Sequence, residues 1–134
     1  MSQGSGAGFE AIDFDDSTWS TGAASFGFGC GTTEGTSWPT DTDILLRKHL
    51  HVPEGTAGVT VAAVVDNDVQ IFLNGVDVSG GLQVHEGCAD YSDPFVFSVP
   101  REVLRAGDNL LAVRGRDRGT VSFLDIQISG GVLP

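Results

Sequence analysis

A chain of 134 residues fits a single independent core, since domains typically run about 100 to 150 residues. Eighteen Asp and Glu stand against seven Lys and Arg, and the net charge of −11 repels nucleic-acid phosphates and anionic membrane surfaces. Nineteen glycines and five prolines point to many tight turns, so an all-β fold is expected, and no apolar run approaches the roughly 20 residues of a membrane-spanning helix.

Residues 1–8 read as a flexible Gly/Ser-rich lead-in and residues 9–134 as one β-sandwich binding domain. The start, MSQGSGAGFEAIDF, has neither the basic nor the apolar segment of a secretory signal. An extracellular destination would then need a longer secreted chain, a non-classical route, or release with a virion. Between Phe9 and Ser25, any of Asp15, Asp16 or Ser17 can cap a single helical turn, with Trp19 pointing inward. From Phe26 to Asp43 the text is glycine- and threonine-rich without periodicity, which reads as one long loop carrying Cys30 and Trp38.

Ile44 to Val52 alternates as a strand, with Ile44, Leu46, Leu50 and Val52 on one face and Lys48 the exception. Val59–Val65 and Val69–Leu73 are β-branched runs joined by Asp66-Asn67-Asp68, a hairpin-type connection. Asn74-Gly75 makes a second turn before a short strand at Val76–Val78. Phe95–Val99 is a strand closed by Pro100, and residues 101–109 resemble one helical turn ending in a glycine turn. Leu110–Arg116 and Val121–Ile128 supply the last two strands. The spacing predicts an antiparallel β-sandwich of about eight strands, with long loops gathered at one end.

Two cysteines, Cys30 and Cys88, sit in glycine-flanked loops, and an even count in an extracellular type of β-domain suggests one disulfide. It would tie the 26–43 loop to the 79–94 loop. The HEGC run, His85 to Cys88, contains metal-binding and nucleophilic groups. With one distant cysteine it matches the clustered pairs of structural zinc sites poorly, and a Cys88 nucleophile would need an oriented base. Asp41, Asp43, Asp66, Asp68, Asp77, Glu86, Asp90 and Asp93 concentrate in loops. Calcium, which takes six to eight oxygens, would suit them, but no D-x-D-x-D-G run occurs and turns recruit Asp anyway, so no metal ligands are assigned. With so many acids a suitably spaced pair is not diagnostic of a glycosidase, and no enzyme activity is expected. Trp38 and Tyr91 fall in the two loops the disulfide would join, where aromatic rings can stack on sugar faces. Arg114 and Arg116 share a strand face, suited either to vicinal hydroxyls or to cross-strand pairing with Asp125 or Asp117.

Three stretches carry a resemblance: FDDSTWSTG (14–22), DNDVQIFLNGVDVSG (66–80), and VPREVLRAGDNLLAVRGRDRGTVSFLDIQI (99–128) with its L-x-x-G-x-N before the penultimate strand. Together they resemble the galactose-binding-like jelly-roll domains found as carbohydrate-binding modules and as accessory domains of glycoside hydrolases. The resemblance implies non-catalytic binding of a glycan or polysaccharide by loops at one end of the sandwich. Trp38, Tyr91, His85, Glu86, Asp68 and Arg116 are the expected contacts. Domains of this kind also bind proteins. The alternative is therefore a structural module of a phage particle, a capsid decoration or tail-associated domain contacting protein neighbours. Either reading places the chain outside the cell or on a virion surface, with no nucleic-acid partner and no membrane insertion.

Overall fold

Alternating apolar side chains build two facing β layers in the computed structural model, which describes residues 2–3, 8–30, 35–88 and 91–132. The strands are β1 (Ser2–Gln3), β2 (Phe26–Phe28), β3 (Thr36–Ser37), β4 (Asp43–Val52), β5 (Thr56–Leu73), β6 (Val76–Asp77), β7 (Gln83–His85), β8 (Phe95–Val99), β9 (Gly107–Arg116) and β10 (Ser122–Val132). A 3-10 turn at Arg101–Val103 stands where one helical turn was expected. One layer runs β1, β4, β9 and the second half of β5, whose other edge takes β6 and β7. The other runs β3, β2, β10, the first half of β5, then β8. Among the described residues the strand ladders are antiparallel except β2 with β3, and an isolated bridge of Gly29 with Ser122 is also parallel. This is an all-β jelly-roll sandwich.

The two β-branched runs expected to form a hairpin are one strand, β5, which passes from one layer to the other at Asp66-Asn67-Asp68. Turn propensity loses here because the backbone is already engaged: Asp66 lies opposite Phe123 of β10, Asn67 opposite His85 of β7, and Asp68 opposite Arg116 of β9. The three side chains are 2%, 6% and 2% exposed, so the crossing buries a polar triplet at one end of the sandwich. The expected loop from 26 to 43 likewise contains two short strands, β2 and β3.

The core between the layers comes from the inner positions of each strand: Ile44 of β4, Val61, Ala63, Val69 and Ile71 of β5, Val113 of β9 and Leu124 of β10. Trp38 closes it at 0% exposure. Gly115 makes room for that ring, because a methyl there would lie 2.9 Å from Ile44 Cγ2 and 3.2 Å from Trp38 Cη2. A second cluster covers the outer face of the first layer, where Phe9, Leu45 and Ala112 pack with Phe14, Trp19 and Phe72. The 8–19 segment that supplies it is turn-rich: Asp15 Oδ1 accepts the Ser17 N–H at 2.9 Å, and Trp19 meets Phe14 edge-on at 5.6 Å.

Lys48, the exception in the alternation of β4, has an inner-face position opposite Leu111. Together with Leu46, Leu50, Phe26, Ile126 and Ile128 it lines an apolar cleft of about 550 Å3 at the open mouth between β4 and β10. A charge at that place on an edge strand opposes pairing with another chain.

The L-x-x-G-x-N stretch has a local cause. Asn109, buried, donates to the carbonyls of Arg105 at 2.7 Å and Gly107 at 3.0 Å and accepts the Arg105 N–H at 2.9 Å. Asn74, at φ 50 in the Asn74-Gly75 turn, donates to Asn109 Oδ1 at 2.8 Å and locks the two turns together.

Candidate functional site

The polar triplet of β5 fixes the site at the loop end. β7 runs out there into His85 and Glu86, and β9 into Asp117 and Arg118. Arg118 forks onto buried Asp68, with Nε to Oδ2 at 2.8 Å and Nη2 to Oδ1 at 2.9 Å. Its Nη2 also reaches exposed Glu86 at 2.7 Å, and its backbone N–H donates to Asn67 Oδ1 at 2.7 Å. These bonds to Asp68 and then Glu86 raise the Arg118 pKa, so the guanidinium stays charged. Asp117 is buried; its Oδ2 accepts the Asp41 N–H at 2.6 Å and its Oδ1 has no partner among the described residues.

Cys30 and Cys88 form the expected disulfide, across a sequence separation of 58. The Cys30 sulfur lies 3.6 Å from Asp66 Oδ2. Burial, followed by the charge of Asp117, pushes the Asp66 carboxyl up to about 6, and Glu86 adds to the rise while His85 and Arg118 oppose it. Because the folded chain holds this proton more tightly than the unfolded one, stability falls as pH rises from about 4 through 6, by on the order of 3 kcal/mol when ionisation is complete. Asp66→Asn is therefore expected to stabilise the fold by up to about 3 kcal/mol at pH 7.5 and to be near neutral at pH 3.5. Urea unfolding at the two pH values measures it, and an equal difference at both would reject this account.

The other expected contacts are dispersed. Trp38 is fully buried and offers no ring face to a ligand: its N–H has no partner among the described residues, and its carbonyl accepts the Ser122 hydroxyl at 2.7 Å. Arg116 does not join Arg118. It binds Asp43 at 2.8 and 3.0 Å, and Arg114 binds the same carboxylate at 2.8 Å, so the partner is neither Asp125 nor Asp117. The Arg116 hydrogen bonds, against burial and with Arg114, hold the Asp43 carboxyl below its usual range. Tyr91 is 54% exposed, lies edge-on to Phe123 at 5.9 Å, and donates to Asp125 at 2.7 Å. Burial and Asp125 push its hydroxyl up to about 12. His85 meets Phe95 edge-on at 6.4 Å, with its Nδ1 unpartnered among the described residues. Asp68, Glu86 and His85 are thus gathered at one end, and Arg118 is the group that joins two of them.

The sequence carries a signal for the position of Arg118. Arg114, Arg116 and Arg118 recur every second residue, and the last stands beyond the strand, where a side chain can swing onto another element. Among the loop acids, Asp77 has a turn role. Burial works to raise its pKa, but hydrogen bonds from Gln70, Ser79 and Gly81 hold it below its usual value. Asp90 lies outside the described residues. Among the described residues, the metal-capable side chains that fall together are Cys30, Asp66 and Cys88. That set offers one oxygen-bearing group where calcium takes six to eight oxygens.

No protein-family model matches the chain, and no curated protein does. Solved structures do. A Streptomyces avermitilis alpha-L-rhamnosidase complexed with L-rhamnose superposes with a TM-score of 0.57 at 19% identity, over 70% of this chain and 9% of the rhamnosidase. The PA14 domain of the antifreeze protein MpAFP superposes with a TM-score of 0.50 at 16% identity, over 77% of this chain and 53% of the other. The chain thus corresponds to a small part of the one and about half of the other. Strand order, the shared β5 and these superpositions agree: the chain has the galactose-binding-like jelly-roll fold.

Proposed function

We propose that the chain is a non-catalytic carbohydrate-binding module whose contact surface centres on Arg118, Glu86 and His85 at the loop end. The observation that carries this is the Arg118 fork. Its three side-chain hydrogen bonds use Nε and Nη2, and no described residue takes the Nη1 hydrogens of a guanidinium with five N–H donors. Beside them the exposed Glu86 carboxylate supplies acceptors. A fixed donor pair next to an acceptor matches the vicinal hydroxyls of a sugar ring, and anchoring on buried Asp68 removes much of the ordering cost of binding. The disulfide fits an oxidising, extracellular setting and holds the two loops that flank the site. The cleft between β4 and β10, lined mostly by apolar side chains, is not the sugar site in this reading. A sugar-bound rhamnosidase among the structural neighbours, similar over only a small part of its length, is in keeping with an accessory role rather than catalysis.

A glycan array run with and without EDTA tests the proposal. Hits are expected in both conditions, and Arg118→Ala is expected to weaken them at least tenfold, a loss of about 1.4 kcal/mol or more. An array with no hit in either condition would sink the carbohydrate reading, and full binding by Arg118→Ala would move the site elsewhere.

A further inference from the structure

The open mouth between β4 and β10 extends beyond the cleft that Lys48 lines. A second cleft of about 420 Å3 shares Leu50 and Ile128 with the first, of about 550 Å3, so the two adjoin along the edges of the layers. Both volumes fall in the roughly 300 to 1,000 Å3 of small-molecule sites. Buried core side chains, Val113 in the first and Leu73 in the second, form the floor, and Leu50 and Ile128 stand between them. Ile128 is left 37% exposed. Contiguous apolar surface left open to water is the mark of a binding groove.

The charge along this mouth departs from the rest of the molecule. The chain carries eighteen Asp and Glu, yet no described residue that lines either cleft is acidic. The ionisable side chains that do line them are Arg47, Lys48 and His51. Arg47 is already committed to the Phe9, Ala11 and Phe14 carbonyls and to Asp16. Lys48, the single lysine of the sequence, is exposed, and its ammonium makes no hydrogen bond or ion pair among the described residues. A strand from another chain is a poor occupant, because a lysine directed inward from an edge strand opposes pairing. A ligand with an anionic head and an apolar tail matches both the cation and the groove.

We propose that the mouth between β4 and β10 binds a free long-chain fatty acid, with the carboxylate on Lys48 and the tail in the adjoining clefts. The stem of Lys48 lies on apolar surface while its ammonium stays at the wet rim, so neither charge of the pair loses its water entirely. From that rim the tail crosses Leu50 and Ile128 and ends near Leu73 and Leu104 in the second cleft. Arg118 lines neither cleft, so this site is separate from the loop end.

The full chain, stripped of lipid, is titrated with fluorescent dansyl-undecanoic acid, and palmitate and palmityl alcohol compete for the probe. One palmitate per chain with a micromolar Kd is expected, and affinity should rise about two- to fourfold per methylene in a series of shorter acids. The alcohol should bind at least fivefold more weakly than the acid. Lys48→Gln should weaken palmitate at least fivefold and leave the alcohol unchanged, whereas Ile128→Trp, which fills the shared part of the clefts, should remove both. Urea unfolding shows that each variant is folded, and Arg118→Ala should change neither affinity. No uptake of probe, equal affinity for acid and alcohol, or full palmitate binding by Lys48→Gln or by folded Ile128→Trp would each overturn the proposal. So would flotation of the chain with phosphatidylcholine–phosphatidylglycerol vesicles without uptake of the free acid, which would assign this face to a lipid surface.

Discussion

Arg47→Ala is expected to cost about 3 to 5 kcal/mol of folding stability, because it removes a buried charge that several elements share. The Arg47 side chain is 2% exposed on the outer face of β4. Its Nε donates to the Phe9 carbonyl at 2.9 Å, Nη2 to Ala11 at 2.8 Å, and Nη1 to Phe14 at 3.2 Å, and it pairs with Asp16. Its guanidinium also lies 5.4 Å from the centre of the Phe14 ring. The 8–19 segment has no strand ladder of its own, so these bonds do for it what sheet pairing does elsewhere: they satisfy its carbonyls while Phe9 is pressed onto Leu45 and Ala112. Without the guanidinium, those carbonyls must either stay dry and unpartnered or lift away and take Phe9 out of contact. Arg47→Lys keeps the charge but not the planar fork, and is expected to recover less than half of the loss. Urea unfolding gives the magnitude and limited proteolysis within residues 8–20 gives the location. A loss below about 1 kcal/mol, or no new cleavage in that segment, would show that apolar packing alone holds it.

What the sequence made legible follows the range of the interaction behind each feature. β4, β8, β9 and β10 were readable because alternation and closing prolines or glycines are local signals, and the Asn74-Gly75 turn was readable for the same reason. Asp66-Asn67-Asp68 was not, since the residues look like a turn and are overruled by partners as distant as His85, Arg116 and Phe123. The glycines and threonines around Trp38 read as a loop, in which the ring serves either as a ligand platform or as loop packing. It is buried because Gly115, far along the chain, leaves a space shaped for its ring. Asp68, Glu86 and His85, expected together at the loop end, do stand at one end of the sandwich. The arginine beside them is Arg118 and not Arg116, a placement set by which carboxylate stands within reach: Asp43 for Arg116 and Asp68 for Arg118. Lys48 was an unexplained exception until the open mouth between β4 and β10 gave its charge access to water.

Replacing both cysteines, Cys30→Ser with Cys88→Ser, is expected to cost about 4 kcal/mol, and the way the loss arises distinguishes a staple from a packing element. For a bond across 58 residues the chain-entropy relation gives about 4 kcal/mol, through freedom regained by the unfolded chain. If that is the origin, the released unfolded chain is more expanded and exposes more surface. The urea m-value should then rise while the midpoint falls, whereas loss of native packing alone lowers the midpoint at constant m. The intact mass of the natural chain should gain two hydrogens on reduction and that of the double variant none. In the folded variant the fork of Arg118 on Asp68 remains, since Asp68 is carried by β5 and Arg118 by the end of β9, neither of which the disulfide holds directly. Glu86, close to Cys88 in the chain, is the part of the rim that the bond does restrain. Glycan affinity is therefore expected to fall by a few-fold through Glu86 alone, and a complete loss with the fold intact would mean that the contact surface lies on the stapled loops rather than at Arg118.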